Sequence, residues 1–573
     1  MAIQELQTFD RDNNHRERSQ APHTETEKAL RQVYEYGPEP ENTVTAITEL
    51  VNSVGSSDLT EMWQDEISSG DALRLSEKLT DRFRHGIERS REMAHDLLTG
   101  KEYPVWNYEE YRERMKPMRD MTSAGQFVNV LGEYAPQRIA GQGPIMIAGH
   151  RDLFPQSTNL FLDALTNATV TNFGQGYPVH GMAATAFGDL TGGSQCVAYH
   201  PGLLMEEAAD AILRIAPIDR NGAKVAWFNA GGDANDVALA AAEHYTTKVH
   251  GENGHRKAVF FREAYHGNIE GRSGRLTTGI DQSYHPEDRK HAVQLEFPNH
   301  DDEIEPVLAR IKELAGNKQL SAVIFEATQG DGGGISMHPD FFTELVKASL
   351  DYQVPLICDE VQSGFGRTGR INAVDYLLDH WQNSSYVTRD SYPRKPPMIV
   401  TYAKSMTNGR EPGSVTVMPK EYAVLERAQG LNTYSAHPGT LATAIVTANL
   451  MTPDLLEMVQ HKRGVFDHAI EPYLDDNSLI REIRGQGLHL FLGLQPGYSQ
   501  LIQAQLMLES RILTGTVARN ALRIHAPINA PDEVWEAIAV RAGETAMKLQ
   551  NGMVNIDALN ILRKGGPSGL AVR

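Results

Sequence analysis

The chain has 573 residues, enough for two or more domains around a large core, and its 40% apolar and 22% charged content is that of an ordinary globular protein. With 54 basic against 74 acidic residues the net charge is -20, which argues against a nucleic-acid partner or an anionic membrane while leaving room for a local basic pocket. The only two cysteines, Cys196 and Cys358, lack CxxC or His-rich spacing, so neither a disulfide framework nor a metal site is expected.

Residues 1–40 are polar, rich in Arg, Glu and His, and read as a flexible arm. The start lacks an apolar run of signal-peptide type and no segment approaches about 18 uninterrupted apolar residues, so the expectation is a soluble, cytoplasmic protein without a membrane partner. Over 41–130 apolar residues recur at helical spacing, first Val44, Ile47 and Val51, then Leu79, Phe83, Ile87, Ala94 and Leu98. This predicts a helical N-terminal extension with a face to bury. Residues 131–200 are rich in Gly, Asn and Thr and are expected to be loop-dense.

From Leu203 the texture becomes that of an α/β protein. Leu203 to Ala216 reads as a helix ended by Pro217, and Lys224 to Phe228 as a strand. The following NAGGDAND turns through Gly231 and Gly232 into an Ala-rich helix. Strand, glycine turn and helix start make an anion site: the glycine backbone admits close approach, the helix dipole adds about half a positive charge, and Asp233 can cap the helix. The next strand, AVFF, leads to Tyr265, whose ring can stack on a flat aromatic group. A further strand, SAVIFE, ends at Glu326, and the glycine-rich turn after it carries Asp331. Pro339 opens a helix that returns the chain to a strand over VPLICDE.

That strand suits the centre of a parallel sheet, where ligands sit at the carboxyl ends of strands. It ends in Asp359 and Glu360, and 45 residues on (404 minus 359) a second apolar strand, MIVTYA, ends in Lys404. A lysine in a dry pocket loses its proton readily and becomes an imine-forming nucleophile, while a buried aspartate can keep a pyridinium nitrogen protonated. The pair is what a pyridoxal 5'-phosphate (PLP) site requires. Residues 371–397 form a polar, aromatic-containing segment expected at the surface near the site entrance.

The strings CDEVQSGFGRTGR, PPMIVTYAKSMTNGREPGSVTV and TYSAHPGTLATA resemble the class III aminotransferases (ornithine, 4-aminobutyrate and ω-amino acid aminotransferases) of PLP fold type I, over about residues 200–530. The resemblance implies a large domain at 201–440 with a mixed, mostly parallel sheet, and a smaller C-terminal α/β domain at 441–573. It implies PLP as cofactor, with Lys404 forming the internal aldimine and acting as proton carrier. Asp359 would lie on the pyridinium nitrogen, Val361 on the back face of the ring, Gln362 on the phenolic oxygen and Tyr265 over the front face. Gly231 and Gly232 would hold the phosphate and Glu326 would support the site.

Thr433 lies in a drifted form of the motif whose threonine reaches the phosphate of the neighbouring subunit, implying a homodimer or larger homo-oligomer with the active site at the subunit interface. Arg523 would bind a substrate carboxylate, with Asp331 neutralising it when the carboxylate is absent. Asn268 stands where the ornithine and 4-aminobutyrate branch has arginine, which disfavours a second substrate carboxylate there. The implied reaction moves an amino group from an amine or amino acid donor to a keto-acid acceptor; racemisation, epimerisation or decarboxylation on the same scaffold is the alternative, because it uses the same Lys and Asp.

Overall fold

The computed structural model describes residues 137–149, 160–177, 179–181, 183–184, 203–252, 256–267, 271–277, 291–389, 392–425, 432–475 and 477–565. The N-terminal arm, the helical extension at 41–130 and Asn268 lie outside the described residues.

The chain first forms β1 (Gln137–Gln142), β2 (Ile145–Gly149) and β3 (Leu160–Asp163). Three strands therefore occupy part of the stretch expected to be loop-dense. Gly143, at φ 54°, makes the tight turn between β1 and β2, and Ile145, Met146, Phe161 and Leu162 are buried, so the apolar residues between the Gly, Asn and Thr positions carry the sheet. Helix α1 (Leu203–Ile215) follows, and then the elements of the principal sheet: β4 (Lys224–Phe228), α2 (Gly231–His250), β5 (Lys257–Phe261), β6 (Ala292–Leu295), α3 (Asp301–Gly316), β7 (Leu320–Phe325), α4 (Pro339–Tyr352), β8 (Leu356–Asp359), α5 (Asp375–Asn383), β9 (Met398–Tyr402) and β10 (Ser414–Met418).

The principal sheet has seven strands in the order β4-β10-β9-β8-β7-β5-β6, and only β10 runs against its neighbours. Alternate residues serve opposite faces, as the period of a strand demands. Phe260, Ile324, Ile357 and Ile399 pack with Ala238, Leu239, Ala241 and Ala242 of α2, whereas Phe261, Phe325, Cys358 and Val400 pack with Phe341, Phe342, Leu345 and Val346 of α4. Both faces are covered, which is why these strands read as continuous apolar runs. Because the strands other than β10 are parallel, the segments that follow β4, β5, β7, β8 and β9 meet along one edge.

The segment 371–397 lies only partly at the surface: α5 buries Leu377, Leu378 and Trp381, and the Trp381 indole N–H donates to the Pro393 carbonyl at 2.9 Å. Its polar composition hid three apolar residues at helical spacing. Beyond α6 (Pro438–Leu450) and α7 (Pro453–Ile470), β11 (Ile480–Arg484), β12 (Leu490–Leu494), β14 (Gly515–Val517) and β15 (Ala521–Ile524) make an antiparallel sheet in the order β11-β12-β15-β14. The short β13 (Ile512–Leu513) instead joins β3 in parallel, tying the C-terminal part of the chain to its first described strands.

Candidate active site

Strand β8 is fully buried and delivers Asp359, 3% exposed, to the shared edge. Asp359 Oδ1 accepts the Val361 N–H at 3.0 Å; Oδ2 accepts Asn235 Nδ2 at 2.8 Å and lies 2.8 Å from His266 Nδ1. The neighbouring strand β9 delivers Lys404 immediately after Tyr402 and Ala403, in register with β8 through the Asp359–Thr401 pair. Lys404 takes a left-handed backbone conformation, φ 49°, that costs a non-glycine residue on the order of 1 kcal/mol. Among the described residues its Nζ has no hydrogen bond or ion pair; it lies 5.9 Å from the centroid of the Tyr265 ring. Burial lowers the ammonium to about 8, helped by Arg523 and opposed by Asp331 and Asp359.

A cavity of about 400 Å³ joins these groups: Gly231, Gly232, Tyr265, Asp359, Val361 and Lys404 all line it. Helix α2 begins on its wall. Asp233 accepts the Ala230 N–H at 3.1 Å, completing the expected cap, and leaves the first helical N–H groups of the glycine turn available. Gly231 is needed for space, since an added Cβ would stand 2.9 Å from Val361 Cγ1. At Gly232 the nearest atom to such a Cβ is Ser273 Oγ at 3.7 Å, so packing there does not demand glycine.

The remaining sequence-derived residues lie around this cavity rather than on its wall. Glu326, buried at the end of β7, accepts the Tyr265 N–H at 3.3 Å and the Gly330 N–H at 3.2 Å, and thereby props the segment that carries Tyr265. Burial and the charges of Asp359 and Asp331 push its carboxyl well above the usual range. The Tyr265 phenol is pushed up to about 12, chiefly by burial. Gln362 is buried, and its Oε1 finds no partner among the described residues. Arg523 of β15 donates to Asp331 Oδ1, so the two substrate-site candidates are brought together across the boundary between the two sheets. Thr433 is exposed on a turn next to Asn432, whose side chain accepts from Asn229 Nδ2 of the cavity wall at 2.9 Å; within one chain Thr433 does not enter the cavity.

Two residues at the site, Asn235 and His266, were not singled out from sequence, and Glu360 was read only as the second carboxylate at the end of its strand. Asn235 and His266 flank Asp359, and Glu360, fully buried, accepts the Ala373 and Val374 N–H groups at 3.0 and 2.8 Å and the Ser363 hydroxyl at 2.9 Å. Glu360 thus anchors the entry to α5, and burial raises its carboxyl to about 7. The signal for Asn235 was its position four residues after Gly231, one turn inside a helix whose start faces the cavity.

The residues fit PLP. Among the described residues, Asp359 keeps about one of four acceptor positions free for a ring N–H, Lys404 Nζ is an unpaired amine, and buried polar atoms of His266 and Gln362 have no partner.

Residues 155–538 match the aminotransferase class-III pattern, and the chain belongs to that family. It is therefore a PLP-dependent transaminase. The acetylornithine aminotransferase of Caldanaerobacter subterraneus is 24% identical over 386 residues, covering 67% of this chain and 89% of the relative. The [LysW]-aminoadipate semialdehyde/glutamate semialdehyde transaminase of Sulfurisphaera tokodaii is 27% identical over 328 residues, covering 56% and 75%. Among solved structures, the ornithine aminotransferase of Toxoplasma gondii superposes with a TM-score of 0.62 at 20% identity, covering 78% of this chain and 99% of that one. A transaminase from the marine bacterium Virgibacillus gives 0.63 at 19% identity, covering 76% and 100%. These two likenesses establish the fold, PLP fold type I.

Proposed function

We propose that the chain transfers an amino group from an ω-amino donor to a keto acid, with the roles of its residues as follows. The observation that carries the assignment is the convergence of Lys404, Asp359 and the Gly231–Gly232 helix start on one cavity. Bound there, PLP supplies an electron sink that lets a proton leave the substrate carbon. Lys404 holds the cofactor through its amine and, once freed by the substrate amine, takes that proton and returns it, a task suited to a group lowered to about 8. Asp359 holds the ring nitrogen protonated. Gly231 and Gly232 receive the phosphate at the start of α2, Val361 and Tyr265 take the two faces of the ring, and Gln362 holds the phenolic oxygen. Glu326 keeps Tyr265 in place.

Arg523 binds the carboxylate of the keto acid, and Asp331 neutralises it in the other half-reaction. One curated relative is named an acetylornithine aminotransferase, and acetylornithine has its free amine at the ω end, which supports that donor class. The exposed position of Thr433, next in sequence to Asn432, which bonds the cavity-lining Asn229, supports a homodimer in which Thr433 of the partner subunit completes the phosphate site. We place the protein in the cytoplasm; no helix of the described residues is long and apolar enough to cross a membrane. The decisive experiment offers ω-amine alone and then keto acid alone to the holoenzyme. Transamination requires the bound cofactor's visible absorption to disappear with the first and return with the second, whereas a racemase or decarboxylase would show no such stoichiometric exchange.

A further inference from the structure

Strands β14 and β15 form a hairpin whose turn is closed by the Ala521 N–H, which donates to the Ala518 carbonyl at 3.3 Å. Its two central residues, Arg519 and Asn520, are both left-handed, at φ 55° and 53°. The twist of a two-residue hairpin loop demands that conformation, and glycine, asparagine or aspartate suit both places. Asn520 follows the preference and Arg519 does not. Across the boundary between the two sheets Glu263 breaks the same rule. It is third in the turn after β5, where the Ala264 N–H donates to the Phe261 carbonyl at 3.2 Å, and at φ 63° it stands where glycine is favoured.

These two residues, 256 positions apart, meet: the Arg519 guanidinium donates to the Glu263 carboxylate. Their side chains are 29% and 25% exposed, and an ion pair so open to water adds little to global stability, while two left-handed side chains subtract from it. Stability does not account for the pair, but placement does. The Ala518 N–H donates to the Asp331 carbonyl at 3.0 Å, so the hairpin tip rests on the turns that follow both β5 and β7. Gly333 permits the approach, since an added Cβ would stand 2.8 Å from the Ala518 carbonyl. Glu326 already ties those two turns to each other through the Tyr265 and Gly330 N–H groups. Arg523 lies opposite Gly515, in the third residue pair from the hairpin tip, and Tyr265 follows Glu263 by two residues.

We propose that Arg519 and Glu263 are positioning residues for carboxylate recognition: their ion pair pins the hairpin that carries Arg523 to the turn that carries Tyr265, and so sets where the Arg523 guanidinium stands over the cofactor cavity. The inference rests on the reading of Arg523 as the residue that binds the keto-acid carboxylate. Glycine or asparagine at either position would ease the backbone and lose the strut.

The test uses Arg519→Asn and Glu263→Gly, each of which removes one charge in favour of a residue the turn prefers, together with the double variant and Arg523→Ala as reference. The two half-reactions of each holoenzyme are measured separately by single turnover, with N-acetylornithine as amine and with pyruvate and 2-oxoglutarate as acceptors, and each melting temperature is recorded. Either single variant should raise the half-saturating keto-acid concentration about tenfold and leave the amine half-reaction within about twofold. Its melting temperature should stay within about two degrees of the parent or rise, because the turn is relieved. The double variant should be no worse than the worse single one, since the same contact is lost in all three. Additive effects in the double variant, equal slowing of both half-reactions, or an unmoved keto-acid dependence while Arg523→Ala moves it would each overturn the proposal. A lower melting temperature in both single variants would make the pair an ordinary structural bridge. If Arg523→Ala itself leaves the keto-acid dependence unchanged, the underlying reading of Arg523 fails, and the positioning role falls with it.

Discussion

Arg523 and Asp331 meet across the boundary between the C-terminal sheet and the principal one: the guanidinium of β15 donates to a carboxylate on the turn after β7, with Arg523 almost fully buried. If Arg523 holds the substrate carboxylate, Arg523→Ala removes a charged, desolvated partner, and kcat/KM for the keto acid should fall by about 2 to 5 kcal/mol of transition-state stabilisation. The amine half-reaction should change far less. Separate single-turnover measurements of the two halves check this, and equal slowing of both would make Arg523 structural.

Lys404 has a folded-state ammonium lowered from 10.5 to about 8. Between pH 8 and 10 the unfolded chain holds this proton while the folded apoprotein has released it, so the lysine's contribution to stability becomes more favourable as pH rises through that window. Below pH 8 both states are protonated and its cost is fully present. The difference in urea-unfolding free energy between the parent apoprotein and Lys404→Met should therefore move in the parent's favour from pH 8 to 9.5. The variant should also lose the borohydride-reducible cofactor adduct, read by mass.

Gly231 and Gly232 are adjacent but not equivalent. Gly231→Ala drives a methyl to 2.9 and 3.1 Å from the two Val361 methyl carbons and should cost about 1 to 3 kcal/mol of stability along with PLP affinity. Gly232→Ala meets nothing closer than 3.7 Å and should unfold like the parent. Denaturant melts of both apoproteins compare them directly.

If Thr433 completes the site of the neighbouring subunit, Lys404→Ala and Thr433→Ala chains should complement. A mixed dimer then contains one site with both residues intact, and co-purified heterodimers should regain up to half of the parent activity per dimer. Activity no greater than that of the Thr433→Ala homodimer would place Thr433 in its own chain's site or outside any site.

Much of the site was legible because its parts are local. Asp359, Lys404 and the Gly231 turn each sit at the end of an apolar run, and a buried parallel strand announces its end by an abrupt change to polar residues. Arg523 and Asp331 came from a resemblance, and the structure adds that they touch. What stayed hidden has no local signature. His266 and Asn235 are single polar residues whose meaning lies in a partner 93 and 124 positions away. Trp381 and its neighbours were masked by the polar residues between them, and the strands at 137–163 by glycine and threonine. Thr433 shows the opposite limit, since one chain alone gives it no partner in the cavity.

The pairing of β13 with β3 sets a schedule for the nascent chain. Leu162 and Ile512 lie side by side although 350 positions (512 minus 162) separate them. At roughly 5 to 20 residues per second, the edge of β3 leaves the ribosome about 20 to 70 seconds before the strand that will cover it. For that interval β1, β2 and β3 present an open sheet edge beside unburied Phe161 and Leu162, the kind of surface that pairs with other chains. The slower the synthesis, the longer that edge stays open to pairing with other chains before β13 arrives to cover it.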